Sequence, residues 1–415
     1  MKIVDLFSGA GGLTFGFYYK LVNGEFCKTD NEFVFANEYF PAAAQAFKKN
    51  FPDINMQDID IRDLTKEKIK KLLGINSVDL IVGGPPCQSF STVGQRRFDD
   101  KAKLYEEYLR ILKVVRPKMF LFENVKGLLS MREVFYETDE NGNIKCLEEK
   151  VERRGKIVIK KKPVIIGYGD LIIDKIKEQF AKIDGDFGYD IYYKILNAVD
   201  FGVPQYRERV FIIGIRRDLK LKWDWHFEQE KPNSLTIEEA ISDLPTVGED
   251  EAKTEYLELP KNDYQRLMRK KSESITQHFC GHYGDKIRMV IKNVKQGQGK
   301  NDFNALVDKG IISEEYRLTS GYNNTYGRLV AAQPSTTITN NMCTPSGLRC
   351  IHYNQDRALT PREGARIQSF PDWFEFYGTR TDVTKQIGNA VPPLLSMAIA
   401  RKLEQVIGEQ YGNIK

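Results

Sequence analysis

Short apolar runs that stop at glycine alternate along the first half of this chain with stretches whose apolar positions recur every three to four residues. Residues 2–7 (KIVDLF), 33–37 (FVFAN), 78–84 (VDLIVGG) and 118–124 (KMFLFEN) read as buried strands. A helix is predicted from about Pro41 to Asn50, and another over 103–115, where Pro117 stops it. Two later runs, DIYYKILNA and RVFIIGI, flank a turn at 202–204. Strands alternating with helices predict an α/β fold around a mostly parallel sheet. Regular pattern returns in ALTPREGARIQSFPD, where Thr360 suits a helix N-cap, Pro361 the first turn, and Glu363 completes a capping box. A final helix from Pro392 to about Ile407 carries Leu394, Leu395, Ala398, Ile399 and Leu403 on one stripe.

Two segments break this rhythm. Residues 131–169 set DENGN, a hairpin-type turn signal, between charged extended runs, which predicts an insertion on the α/β domain. From about 219 to 353 the sequence turns polar, basic and rich in Asn and Gly. This predicts a second, smaller domain over 219–353, between a first domain over 1–218 and a return to it over 354–415.

Composition narrows the classes. A chain of 415 residues, 41% hydrophobic, is long enough for a substantial core in two or three domains. The net charge of +5 says little about a polyanion partner, but its distribution says more. No acid lies between Glu152 and Asp170, a span holding Arg153, Arg154, Lys156, Lys160, Lys161 and Lys162. None lies over 286–300 either, where Lys286, Arg288, Lys292, Lys295 and Lys300 fall. Each run alone reads equally as a solvated face or as a polyanion contact. Six scattered cysteines without a CxxC point to a reducing compartment. His278, Cys280 and His282 lack a second ligand pair nearby, so no metal is expected. Asp5 interrupts the first apolar run and no run is long enough to span a bilayer, so a cytosolic protein without a membrane segment is expected.

Three pieces carry candidate chemistry. DLFSGAGG, at 5–12, is a strand-to-helix glycine turn with G-x-G-G spacing, not the G-x-G-x-x-G that approaches a pyrophosphate. Alone it reads as readily as tight-turn packing. Glu38 follows the second strand, where α/β nucleotide binders place an acid for ribose hydroxyls, and Asp58 follows a third, which suggests a nucleoside ligand such as S-adenosylmethionine. GGPPCQSFS, at 83–91, sets Cys87 behind Pro85 and Pro86, with Gly83 and Gly84 permitting backbone shapes closed to other residues. The nearest histidine in sequence is the distant His226, so no local Cys–His pair exists. Glu123, at the end of the next strand, would share the carboxyl edge of the sheet with Cys87. A thiolate adding at C6 of cytosine makes C5 enamine-like, and a carboxyl group at the N3/N4 edge stabilises the developing charge.

The ordered blocks DLFSGAGG (5–12), GGPPCQSFS (83–91), ENV (123–125), QYRERVFIIG (205–214), RALTPREGARIQSFPD (357–372) and QIGNAVPP (386–393) resemble the DNA (cytosine-5) methyltransferases of bacterial restriction–modification systems. The resemblance frames nearly the whole chain except 131–169 and most of 219–330. It implies a Rossmann-like catalytic domain with a smaller target-recognition domain, S-adenosylmethionine as cofactor, and duplex DNA as partner, with the cytosine flipped into the site. It also implies Cys87 as nucleophile, Glu123 at the N3/N4 edge, and Arg209 at O2 with Arg207 as its companion. Around the cofactor it implies Phe7, Gly9, Gly11, Gly12, Glu38, Tyr39, Asp58, Ile59, Pro86 and Asn389. A bacterial cytoplasmic monomer is implied, with a cognate restriction endonuclease acting independently. One departure stands in GQRRFDDKAKLYEEY, where Lys101 and Lys103 occupy the place of the family's loop arginine. An RNA methyltransferase on the same scaffold would usually lack the long segment between FIIG and RALTPRE. A catalytically silent binding protein would not need Cys87, Glu123 and Arg209 intact.

Overall fold

Strand β1 (Lys2–Leu6) sends Ile3 into one apolar core and Val4 and Leu6 into another, the alternation of a strand covered on both faces. The computed structural model describes residues 1–86, 104–153, 156–183, 188–227 and 234–411. Strands β2 (Glu32–Asn37), β3 (Met56–Gln57), β4 (Leu80–Gly83) and β5 (Met119–Val125) run parallel with β1. The late runs form β6 (Tyr189–Asn197) and β7 (Glu208–Arg216), an antiparallel pair that closes one side of the sheet against β5. The order is β6-β7-β5-β4-β1-β2-β3. From β1 the chain goes to β2 on one side and later to β4 on the other. The crevice at their carboxyl ends is therefore a topological switch point, where open α/β sheets bind ligands.

The predicted helices lie at Pro41–Asn50 and Leu104–Val115, and the capping box forms, with the Thr360 amide donating to Glu363 at 2.8 Å. The last helix, Pro393–Tyr411, runs somewhat beyond the predicted end and packs against helix Gly12–Tyr18, with Leu395, Ile399 and Leu403 fully buried. Ser396 Oγ donates to the Leu13 carbonyl at 2.5 Å, and a Cβ on Gly16 would overlap the Ser396–Met397 backbone. Gly16→Val is therefore expected to destabilise the fold by about 1–3 kcal/mol through overpacking. Thermal melting of the purified variant checks this, and an unchanged Tm would refute the packing argument.

The segment after β5 forms an extended ribbon. Arg132–Tyr136 pairs with Ile165–Leu171, and Cys146–Arg153 pairs with Lys156–Pro163, both antiparallel. The DENGN turn closes on Asp139 Oδ1, which accepts from the amides of Asn141 at 2.9 Å and Asn143 at 2.8 Å.

From 219 to 353 the described residues form short helices, Ile237–Ile241, Asp263–Arg269, Asp285–Asn293 and Lys300–Asp308, joined by irregular chain. Ile237, Ala240, Tyr264 and Met268 join the same core as Phe15, Phe374 and Leu403. Val290, Val294, Phe303 and Val307 instead form a small core of their own. Buried ions tie this region to the RALTPREGARIQSFPD block. Arg366 pairs with Asp243 at 2.5 Å and Asp372 at 2.6 Å, all three without exposed side-chain surface. Removing one partner from so buried an ion set leaves an uncompensated charge, which costs about 3–5 kcal/mol. Arg357 pairs with Glu363 at 2.6 Å, and Arg362 donates to the Thr276 and Phe374 carbonyls.

Candidate active site

The site is built where chain segments leave the carboxyl ends of the parallel strands. After β1, Phe7 takes a left-handed backbone with φ 56, costly for a bulky residue, and Gly9 and Gly11 follow at φ 57 and 100. Space above Gly9 is open, with no atom within 4 Å of where a Cβ would stand. A Cβ on Gly11 would overlap the Phe51 ring, and one on Gly12 would overlap the Val391 carbonyl. The QIGNAVPP block thus lies directly against the glycine turn. Beneath it Asp5 is buried, hydrogen-bonded to Thr14, and its carboxyl is pushed by burial up to about 8.

Glu38 follows β2 and braces this turn. One carboxylate oxygen accepts from the Gly9 amide at 2.8 Å and the other from the Phe40 amide at 2.7 Å. Burial pushes the carboxyl up, opposed by those hydrogen bonds. Tyr39 beside it is exposed. Asn37 donates to the Gln57 and Ile59 carbonyls at 2.9 and 2.8 Å, which holds the chain after β3 next to β2. Asp58 is exposed and pairs with Lys48 at 2.8 Å. Asn389 is exposed at the end of helix Arg380–Asn389.

β4 and β5 are adjacent and parallel, with Gly83 opposite Phe122. Glu123 therefore stands beside the start of the GGPPC loop. A Cβ on Gly84 would lie 2.8 Å from Glu123 Oε2, and one on Gly83 would lie 2.6 Å from the Leu6 carbonyl. Neither glycine has positive φ, so close approach explains them, where the sequence suggested unusual backbone shape. Asn124, buried, donates to the Pro85 carbonyl at 3.4 Å, while its Oδ1 accepts from the Val125 amide at 2.8 Å. Pro86 is the last described residue before Cys87, which lies outside the described residues together with Lys101 and Lys103.

β7 runs antiparallel to β5, so its first residues meet the carboxyl end of β5, with Arg209 opposite Val125 and Phe211 opposite Glu123. Arg209 Nε lies 3.2 Å from Glu123 Oε1, and the two side chains are only 14% and 12% exposed. Burial pushes the Glu123 carboxyl above the usual range, against the pull of Arg209 and Arg207. Arg207 is fully buried and donates to the Ile338 carbonyl at 3.0 Å, Gly388 at 2.8 Å and Ala390 at 2.9 Å. It ties the QIGNAVPP block to residue 338 behind the Glu123–Arg209 pair.

The sequence reading missed two positioning residues. Asn124 was visible only as part of ENV. Gln205 accepts from the Ile338 amide at 2.7 Å and donates to Gln368 at 2.8 Å, two partners far off in sequence. His278 is a hydrogen-bonded core residue, its ring nitrogens 2.9 Å from Thr360 Oγ1 and 2.8 Å from the Pro245 carbonyl.

A family profile described as C-5 cytosine-specific DNA methylase matches residues 1–142 and 171–405. The interval between the two matched parts falls in the extended ribbon. The chain is 32% identical to the Type II methyltransferase M.DdeI of Desulfomicrobium norvegicum, over 97% of this chain and 88% of that protein. It is 31% identical to the Type II methyltransferase M.AgeI of Thalassovita gelatinovora, over 98% of this chain and 100% of that one. Among solved structures, an E. coli prophage-encoded DNA modification methyltransferase superposes with TM-score 0.67 at 24% identity, covering 98% of this chain and 99% of that one. Spodoptera frugiperda DNMT2 follows the same fold with TM-score 0.54 at 17% identity, covering 97% and 99%. With the profile matched over nearly its whole length and relatives above 30% identity along it, the chain belongs to the C-5 cytosine-specific DNA methylases.

Proposed function

We propose that this enzyme methylates C5 of a cytosine flipped out of a specific duplex DNA sequence, by a covalent Cys87 adduct, as the modifying half of a restriction–modification system. The observation that carries this reading is the buried Glu123–Arg209 pair beside the GGPPC loop. Glu123 holds a proton toward N3 and Arg209 donates toward O2, so negative charge developing on the pyrimidine meets two fixed partners in a low-dielectric setting. The Cys87 thiolate adds to C6 and the electron pair shifts into the ring, making C5 nucleophilic. After methyl transfer the C5 proton leaves and the thiolate is expelled. A base reacted upon from both ring faces must leave the stack.

The residues at the glycine turn suit S-adenosylmethionine. The open surface over Gly9, the strained Phe7 and the braced Glu38 form a cradle at the switch point, with Tyr39, Asp58, Ile59, Pro86 and Asn389 proposed at its margins. Bound there, the cofactor supplies the methyl group. Sequence choice is proposed to reside in 219–353, which carries none of the catalytic side chains.

Bisulfite sequencing of host DNA after expression tests this reading. A single protected sequence context is expected, and exchange of 219–353 with a relative of different specificity should change that context. No protected cytosine at all would overturn the activity, and an unchanged context would overturn the placement of recognition.

A further inference from the structure

Residues 143–170 of the ribbon after β5 lie outside the family profile, which stops at 142 and resumes at 171. Among the ribbon's described side chains from 131 to 170 none is buried. Ile157, Leu147, Tyr168 and Ile166 are 73%, 68%, 65% and 64% exposed. A two-stranded hairpin with no buried side chain among its described residues is marginal in water, so this one is suited to a partner. Its root is fixed near the catalytic edge. Lys126–Ser130 leads from β5 into the ribbon, and the Ile172 amide returns to the Met131 carbonyl at 2.9 Å.

Charge identifies the partner. Residues 146–163 hold seven basic side chains against three acidic, a net +4 out of +5 for the whole chain. Lys161 and Lys162 pair across the ribbon with Glu148 at 3.6 Å and Glu149 at 2.5 Å, and the sequence adds five more bases, Lys150, Arg153, Arg154, Lys156 and Lys160, against the single acid Glu152. The lysines along strand KIVIKKKP are the usual protection of a strand edge against pairing with another chain. A second copy is therefore a poor occupant. Eight-residue strands span about 26 Å at roughly 3.3 Å per residue, and a two-stranded ribbon fits the major groove.

We propose that the 146–163 hairpin grips duplex DNA flanking the methylated sequence, its cations on phosphates and its aliphatic side chains against groove walls. The proposal rests on the functional reading above for the DNA substrate, while its test needs no turnover. Binding would be measured across a salt series with mixed-sequence duplexes of about 12 and about 30 base pairs. In Arg153→Gln/Lys156→Gln the salt slope on the longer duplex should fall by about 1.8, at roughly 0.9 per phosphate contact. Replacing 146–163 by a tight turn, which the Val164 amide to Lys145 carbonyl bond at 2.9 Å would close, should weaken binding to the longer duplex about tenfold and spare the shorter. Equal slopes and affinities in all three proteins would overturn the proposal. So would conversion of a wild-type dimer to a monomer on removing the hairpin with DNA affinity unchanged, which would make a second copy the occupant. Wild type that binds duplex but methylates none would sink the functional reading instead, and the binding comparison would still decide the hairpin's role.

Discussion

Cys87→Ser is expected to lose methyl transfer by on the order of 10⁴-fold or more while keeping DNA affinity, because a serine hydroxyl is a far weaker nucleophile at neutral pH. A substrate that stops the reaction midway gives the sharper test. With fluorine at C5, the final elimination would have to release a fluorine cation, which does not happen, so enzyme and base stay joined after methyl transfer. Wild type with S-adenosylmethionine and duplex DNA carrying 5-fluorocytosine at the mapped site should yield a denaturant-resistant complex, and Cys87→Ser should yield none. The other cysteines make poor rivals. Burial pushes the thiols of Cys280 and Cys343 up and that of Cys350 to about 12. Cys146 sits on the ribbon, and Cys27 on strand Glu25–Lys28. Retention of even one-hundredth of wild-type turnover by the serine variant, or an adduct mapping to any of those five, would remove Cys87 from the mechanism.

The frame was legible because its strands are covered on both faces. Such strands must be apolar along their length, so residues 2–7, 78–84 and 118–124 announce themselves. The capping box at Thr360 and Glu363 was equally plain, since both partners lie within one helical turn. What stayed hidden depends on partners distant in sequence. Arg357, Arg362 and Arg366 are all buried, which nothing in their local sequence signals. The reason lies partly in Asp243 and Thr276, far upstream. Gly83 and Gly84 were recognised as special, but whether a glycine provides torsional freedom or clearance depends on what faces it. Here Leu6 and Glu123 face them. Arg207 and Arg209 are two residues apart on one chain. Only the fold shows that one is consumed by carbonyls at 338, 388 and 390 while the other meets Glu123.

That division gives Glu123→Gln its expected effect, a fall in kcat of about 10²–10⁴-fold, the range for losing a positioned acid–base group. Glutamine preserves the shape beside Gly84 and can still accept from Arg209, so the fold and DNA affinity should persist. What it cannot do is hold a labile proton toward N3, and the charge created by thiolate addition is then less stabilised. Burial raises the Glu123 carboxyl, so its protonated share survives above the ordinary carboxyl range and falls as pH rises through that raised value. The wild-type rate therefore contains a decline with rising pH from Glu123, set against the gain from thiolate formation at Cys87. The glutamine variant does not titrate at this position, and its residual rate should follow the thiolate alone. Single-turnover rates for both proteins between about pH 5 and 9 separate the cases, since that span starts above the ordinary Glu value of about 4.3 and brackets the ordinary Cys value of about 8.5. A rate for Glu123→Gln within about threefold of wild type, or pH profiles of identical shape, would show that the carboxyl group has no proton to give in this reaction.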